Sequence, residues 1–111
     1  MTELGGPDAE GFNINIPLPP GSGVGAYEYA FDRVVIPSLH RFKPDLILVS
    51  SGFDCSYMDP LAAMCLSSEA FGNFAKKLVI AAETLCAGRL VFAHEGGYSK
   101  DYVSDRYERL N

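Results

Sequence analysis

The sequence predicts an α/β fold, a parallel sheet laid down in β-α-β-α-β order, and three observations carry that reading. Two apolar runs, LILVSSG (46–52) and RLVFAHEG (89–96), have strand length without alternation, the pattern of strands covered on both faces. A stretch with apolar residues at three- and four-residue spacing precedes each of them. Near the start, FNINIPL (12–18) alternates apolar and polar residues, as a short strand does. Parallel neighbours need long crossovers, and the helical stretches supply them.

The elements follow in order. Residues 1–11 show no periodicity and are expected to be irregular, and PPGSGVG (19–25) is a loop by composition. From Ala26 to Phe42 the apolar positions Tyr27, Ala30, Phe31, Val34, Val35, Leu39 and Phe42 predict an amphipathic helix, bent at Pro37. Lys43-Pro44-Asp45 stops it, and the 46–52 strand follows. After a loop to residue 66, Ser67 and Ser68 offer an N-cap to a second helix over Ala70 to Ala87, ended by Gly88. The last strand runs into Gly96-Gly97-Tyr98. Beyond Val103 the polar segment SDRYERLN (104–111) is expected to be irregular. A sheet of three strands leaves edges and an apolar face uncovered, and this tail is too short and polar to cover them. The chain is therefore expected to be part of a larger sheet and to self-associate through the uncovered edge.

A chain of 111 residues with 48% hydrophobic residues reads as a single domain. Its net charge of −5 argues against nucleic acid or an anionic membrane surface as a partner. Cys55, Cys65 and Cys86 lack CxxC spacing and read as reduced thiols of a cytoplasmic protein. No run reaches the length of a membrane span, and MTELGGPDAEG has neither the basic region nor the apolar run of a secretory signal.

In a parallel sheet the C-terminal ends of all strands lie on one side, which is where open α/β folds hold their ligands. Asp54 follows the second predicted strand and His94-Glu95-Gly96-Gly97-Tyr98 follows the third. A carboxylate and a phenol on one rim suggest a metal ligand and a donor to a developing oxyanion. On spacing alone a plainer reading stays open, with Asp54 capping a turn and Tyr98 packed on the surface. Gly21-Ser22-Gly23-Val24-Gly25-Ala26 also fits the relaxed dinucleotide-binding fingerprint. Pro17-Leu18-Pro19-Pro20, however, pushes these glycines away from the strand end, where a tight turn is needed.

The run FNINIPLPPGSGVGAYEYAF…VIPSLHRFKPDLILVSSGFDCSYMDPLA…GRLVFAHEGGYS resembles the C-terminal part of the histone deacetylase and acetylpolyamine amidohydrolase superfamily. It is most similar to the class II-like bacterial amidohydrolases. The likeness spans residues 10 to 103, and the GFD…DPL and EGGY blocks are its specific motifs. It implies a three-layer α/β/α parallel sheet of the arginase/deacetylase type, here only its β-α-β-α-β portion, with residues 1–111 forming a partial domain. It also implies hydrolysis of acetyl-lysine, acetylpolyamine or related amides, with zinc activating a water. Asp54 then matches a ligand of the catalytic zinc, and Tyr98 the tyrosine that stabilises the oxyanion. Leu61 matches a residue at the rim of the acyl-lysine tunnel, and Gly96 a backbone position lining the channel floor. The backbone near Phe12 falls where such enzymes can ligate a structural monovalent cation.

Two features of the family are missing. Neither the Asp-x-His pair that supplies the other zinc ligands nor the tandem His-His that moves protons occurs, since the only histidines are His40 and His94. The chain alone is thus expected to be inactive, and a non-catalytic fragment or interaction module is the competing reading. Asp59 before Pro60 reads as a turn or a helix N-cap, His40 as a solvated residue near a helix end, and His94 as structural or outer-sphere. Glu95 is expected to orient its loop, and Cys55 to be a packed thiol.

Overall fold

The computed structural model describes residues 3–99, so the 104–111 segment and the divergence after Val103 lie outside the described residues. The first helical stretch runs from Val24 to Phe42 in three parts: α1 (Val24–Ala30), a π-helical turn (Phe31–Val35) and α2 (Ile36–Phe42). The Ile36 N–H donates to the Phe31 carbonyl five residues back, which widens the helix just before Pro37. Proline has no N–H to give and its ring crowds the carbonyl one turn earlier; the wide turn accommodates both defects. Lys43, at φ 55 and ψ 63, ends α2 in the left-handed conformation.

Strand β1 (Ile47–Ser51) pairs in parallel with β2 (Leu90–His94), in a register that sets Ile47 against Leu90 and Ser51 against His94. Between them runs α3 (Ser68–Cys86), capped by Ser67, whose side chain accepts from the Ala70 N–H at 3.4 Å. The Gly88 N–H reaches the Ala82 carbonyl at 3.0 Å and closes the helix. The buried positions of α3 are Ala70, Phe74, Leu78, Ala81, Ala82 and Cys86, one face at helical spacing. Its C-terminal half packs Ala82 and Cys86 on Ile47 of the sheet, and its N-terminal half packs Ala70 and Phe74 with Leu66, against Tyr27 and Phe31. A Ser67→Ala substitution is expected to lower stability by about 0.5–1 kcal/mol, the smaller end of a cap's contribution because the bond is long. The urea midpoint of the two proteins measures it.

One expected strand is not formed. Residues 12–18 carry no ladder, and among the described residues the sheet has two strands, so the order is α-β-α-β. The alternation is nonetheless used: Phe12, Ile14 and Ile16 line a groove with Val34, Val35, Leu39 and Phe42 of the first helical stretch. The Phe12 and Phe42 rings meet edge to face at 6.2 Å. Alternation marks a face to be covered, whereas a ladder also needs a neighbouring strand with free N–H and C=O groups. No such neighbour stands beside this segment among the described residues. Helix α3 covers one face of the sheet. On the other, Leu48 is 71% and Val91 51% exposed, an apolar patch open to solvent.

Candidate functional site

Because β1 and β2 are parallel and in register to their last pair, Ser51 and His94, their following loops leave the sheet at the same end. The Glu95 N–H donates to the Ser51 carbonyl at 3.0 Å and the Phe53 N–H to the Gly96 carbonyl at 3.4 Å. These bonds bring the Asp54 loop and the Tyr98 loop together, as parallel strands require.

Asp54 is half-buried, with its carboxylate wedged against the backbone of both loops. A Cβ on Gly52 would fall 2.8 Å from Asp54 Oδ1 and 2.8 Å from the Glu95 carbonyl oxygen; one on Gly96 would fall 3.0 Å from Asp54 Oδ2. Gly96 also sits at φ +67, so two separate constraints, space and backbone conformation, call for glycine there. Cys55 Sγ lies 4.0 Å from Asp54 Oδ1. Burial pushes the Tyr27 hydroxyl above the usual tyrosine range, and its hydrogen bond to Cys55 and the nearby charges of Cys55 and Asp54 act in the same direction. Tyr27 therefore stays a neutral phenol next to the loop. The sequence shows Tyr27 only as an apolar helix position, and nothing in its spacing signals this contact.

Asp59 is 8% exposed and uses both carboxylate oxygens. Oδ1 accepts from the Leu61 N–H at 2.9 Å and the Ala62 N–H at 3.3 Å, which is the expected turn, although no helix follows it. Oδ2 accepts from the Tyr98 N–H at 2.8 Å, across 39 residues of chain. Burial acts to raise this carboxyl, but the N–H groups of Tyr98, Leu61 and Ala62 outweigh it and hold it below the usual carboxylate range. The Tyr98 side chain itself is 57% exposed.

The remaining sequence candidates fall as follows. Leu61 is exposed just past the Asp59-Pro60 turn, and Gly96 accepts at its carbonyl from His94 Nε2 at 2.9 Å. A carbonyl only accepts, so that nitrogen carries the proton, and the His94 ring leans on Phe53 with centroids 5.2 Å apart. Glu95 Oε1 accepts from Ser50 Oγ at 3.2 Å, in keeping with a loop-orienting role. His40 is exposed in the last turn of α2. The glycine fingerprint fails as a phosphate cradle. No strand precedes Gly21, the Gly21 N–H is bonded to the Ala63 carbonyl, and Gly23 forms a bridge with Cys65.

Among the described residues no group of three or more His, Cys, Asp and Glu side chains is placed to hold a metal ion. Asp54 is one carboxylate, and a tetrahedral zinc needs three protein ligands beside its open position. The described residues do not by themselves make a zinc site. Also among them, no helix is long and apolar enough to cross a membrane.

The family described as Histone deacetylase domain matches residues 1–110. The chain is 50% identical over 101 residues to the histone deacetylase-like amidohydrolase of Pseudomonas aeruginosa, covering 91% of this chain and 27% of that protein. It is 44% identical over 102 residues to histone deacetylase 10, chloroplastic, of rice (Oryza sativa subsp. japonica), covering 92% and 23%. Among solved structures, the HDA15 HD domain superposes with a TM-score of 0.86 at 30% identity, over 97% of this chain and 30% of that one. The chain thus spans about a quarter of the length of these curated relatives. With a matching family over nearly its whole length, relatives at 50% and 44% identity and the same fold, the chain belongs to the histone deacetylase family.

Proposed function

We propose that this chain is the part of a zinc-dependent deacetylase or amidohydrolase domain that carries the oxyanion donor and one metal ligand. Its substrates are acetyl-lysine, acetylpolyamine or related amides, released as acetate and amine. Tyr98 is the residue whose hydroxyl donates to the amide oxygen as negative charge builds on it. Asp54 is the carboxylate offered to the metal, while Leu61 and Gly96 border the acyl channel. The backbone at Phe12 is the candidate contact for a structural monovalent cation. The observation that carries this reading is the close fit of the Asp54 carboxylate against Gly52 and Gly96, which joins the two motif-bearing loops at one end of the sheet.

A second reading, a fragment or interaction module without catalysis, is favoured by two features. The described residues lack a metal-holding cluster, and the Leu48 and Val91 face is open. That open sheet is also the surface through which we propose self-association. Three free thiols fit a reducing, cytoplasmic setting.

The two readings part in one assay. The purified 111-residue chain is expected to show no turnover of acetyl-lysine peptides or acetylpolyamines, with or without added zinc. A complete domain containing this segment is expected to turn them over. There, Asp54→Asn is expected to weaken zinc binding by at least the roughly 10–100-fold that loss of an outer-sphere partner costs. Undiminished zinc affinity in Asp54→Asn would remove Asp54 from the ligand set. Robust zinc-dependent turnover by the short chain would instead reveal a self-contained site.

A further inference from the structure

Three of the hydrogen bonds that link the Asp54 side to the Tyr98 loop among the described residues differ in kind. The Glu95–Ser51 and Phe53–Gly96 bonds join backbone to backbone beside the strand ends and use no side chain. The third is made by a side chain, and it ends on the residue at issue: Asp59 Oδ2 accepts the Tyr98 N–H at 2.8 Å.

From this geometry we infer that Asp59 is a positioning residue for Tyr98, its carboxylate joining the DPL turn to the backbone from which the Tyr98 side chain projects. This role rests on the reading of Tyr98 as the oxyanion donor, but the bond itself stands whether or not the domain is a deacetylase.

The two oxygens divide the work. Oδ1 folds the turn by accepting from Leu61 and Ala62, and this fixes the carboxylate within its own loop. Oδ2 is then presented already oriented, so little side-chain freedom is lost when it takes the Tyr98 N–H. The near-burial of Asp59 keeps water from competing for that bond. A charged acceptor makes it stronger than a neutral one. The Tyr98 side chain is largely exposed, so little packing holds it, and its placement depends on its backbone. Oxyanion donors act only when held close to the position of the developing charge. A tie at the Tyr98 nitrogen is the shortest lever on that placement.

The test separates the two oxygens. In Asp59→Asn the amide oxygen can still accept from Leu61 and Ala62, while an NH2 group faces the Tyr98 N–H, donor against donor. In Asp59→Ala both functions are lost. Amide hydrogen exchange, followed residue by residue by NMR in the 111-residue chain without zinc or substrate, reads each bond directly. In the unaltered chain the Tyr98 amide is expected to be protected and its proton shifted downfield by the carboxylate. Asp59→Asn is expected to speed exchange at Tyr98 by about tenfold or more, the loss of one charge-assisted bond, while Leu61 and Ala62 stay protected. Asp59→Ala is expected to release all three. A role confined to the turn would leave Tyr98 unmoved. An unprotected Tyr98 amide in the unaltered chain, protection that survives either substitution, or joint loss of all three amides in Asp59→Asn overturns the assignment. Because this test measures no catalysis, a failure of the deacetylase reading gives a different result: absent turnover by a complete domain carrying this segment, with the Tyr98 amide still held.

Discussion

In a complete deacetylase domain carrying this segment, Tyr98→Phe is expected to lower kcat by roughly a hundredfold or more, the loss typical of one oxyanion donor. The substitution deletes a single oxygen and keeps the ring. Tyr98 is 57% exposed and its backbone N–H is held by Asp59, so neither packing nor placement should change much. Stability should stay within about 0.5 kcal/mol, as for other surface changes. The hydroxyl acts on charge that exists only as the reaction proceeds, so kcat should fall while KM changes little. Steady-state kinetics on an acetyl-lysine peptide, with metal content measured in parallel, check both points. Unchanged kcat would take the donor role from Tyr98 and leave the family assignment intact. A rise in KM alone would make Tyr98 a binding residue.

Phe74→Ala is expected to be the most damaging substitution in the core. Phe74 is 6% exposed, and its ring stacks on Phe31 at 4.6 Å and on Tyr27 at 6.1 Å. Removing a buried phenylalanine costs about 3–5 kcal/mol through lost transfer energy and the cavity left behind. A typical domain has only about 5–15 kcal/mol to lose, and among the described residues a two-stranded sheet with one open face leaves little margin. The damage should reach the site, because the stack that seats Phe74 also seats Tyr27, whose hydroxyl meets Cys55 beside Asp54. At about 4–8 °C per kcal/mol, Tm should fall by tens of degrees or the cooperative transition should vanish, while Phe74→Leu should cost much less. Thermal unfolding followed by circular dichroism distinguishes these outcomes. A shift of only a few degrees for Phe74→Ala would mean that this ring does not organise the N-terminal half of α3.

What the sequence determined by itself was local. Apolar spacing located the 24–42 helical stretch and α3 to within about two residues, because a helix repeats its contacts every three or four positions. The runs at 46–52 and 89–96 gave β1 and β2, and the GFD…DPL and EGGY blocks gave the family. Their parallel order alone implied that Asp54 and Tyr98 follow strands ending on one side. The tertiary structure decided what depends on a distant partner. Residues 12–18 alternate as a strand would, yet what stands beside that face is decided in space, and it is a helix, across a groove that leaves Phe12 and Ile14 largely exposed. Pro37 announced a disturbance, but its form, a π turn over Phe31–Val35, was visible only in the structure. Asp59 shows the division most clearly. One of its oxygens is satisfied within three residues, so the Asp-Pro turn could be read from the sequence. The other is satisfied 39 residues away, a contact that exists only because two parallel strands end side by side.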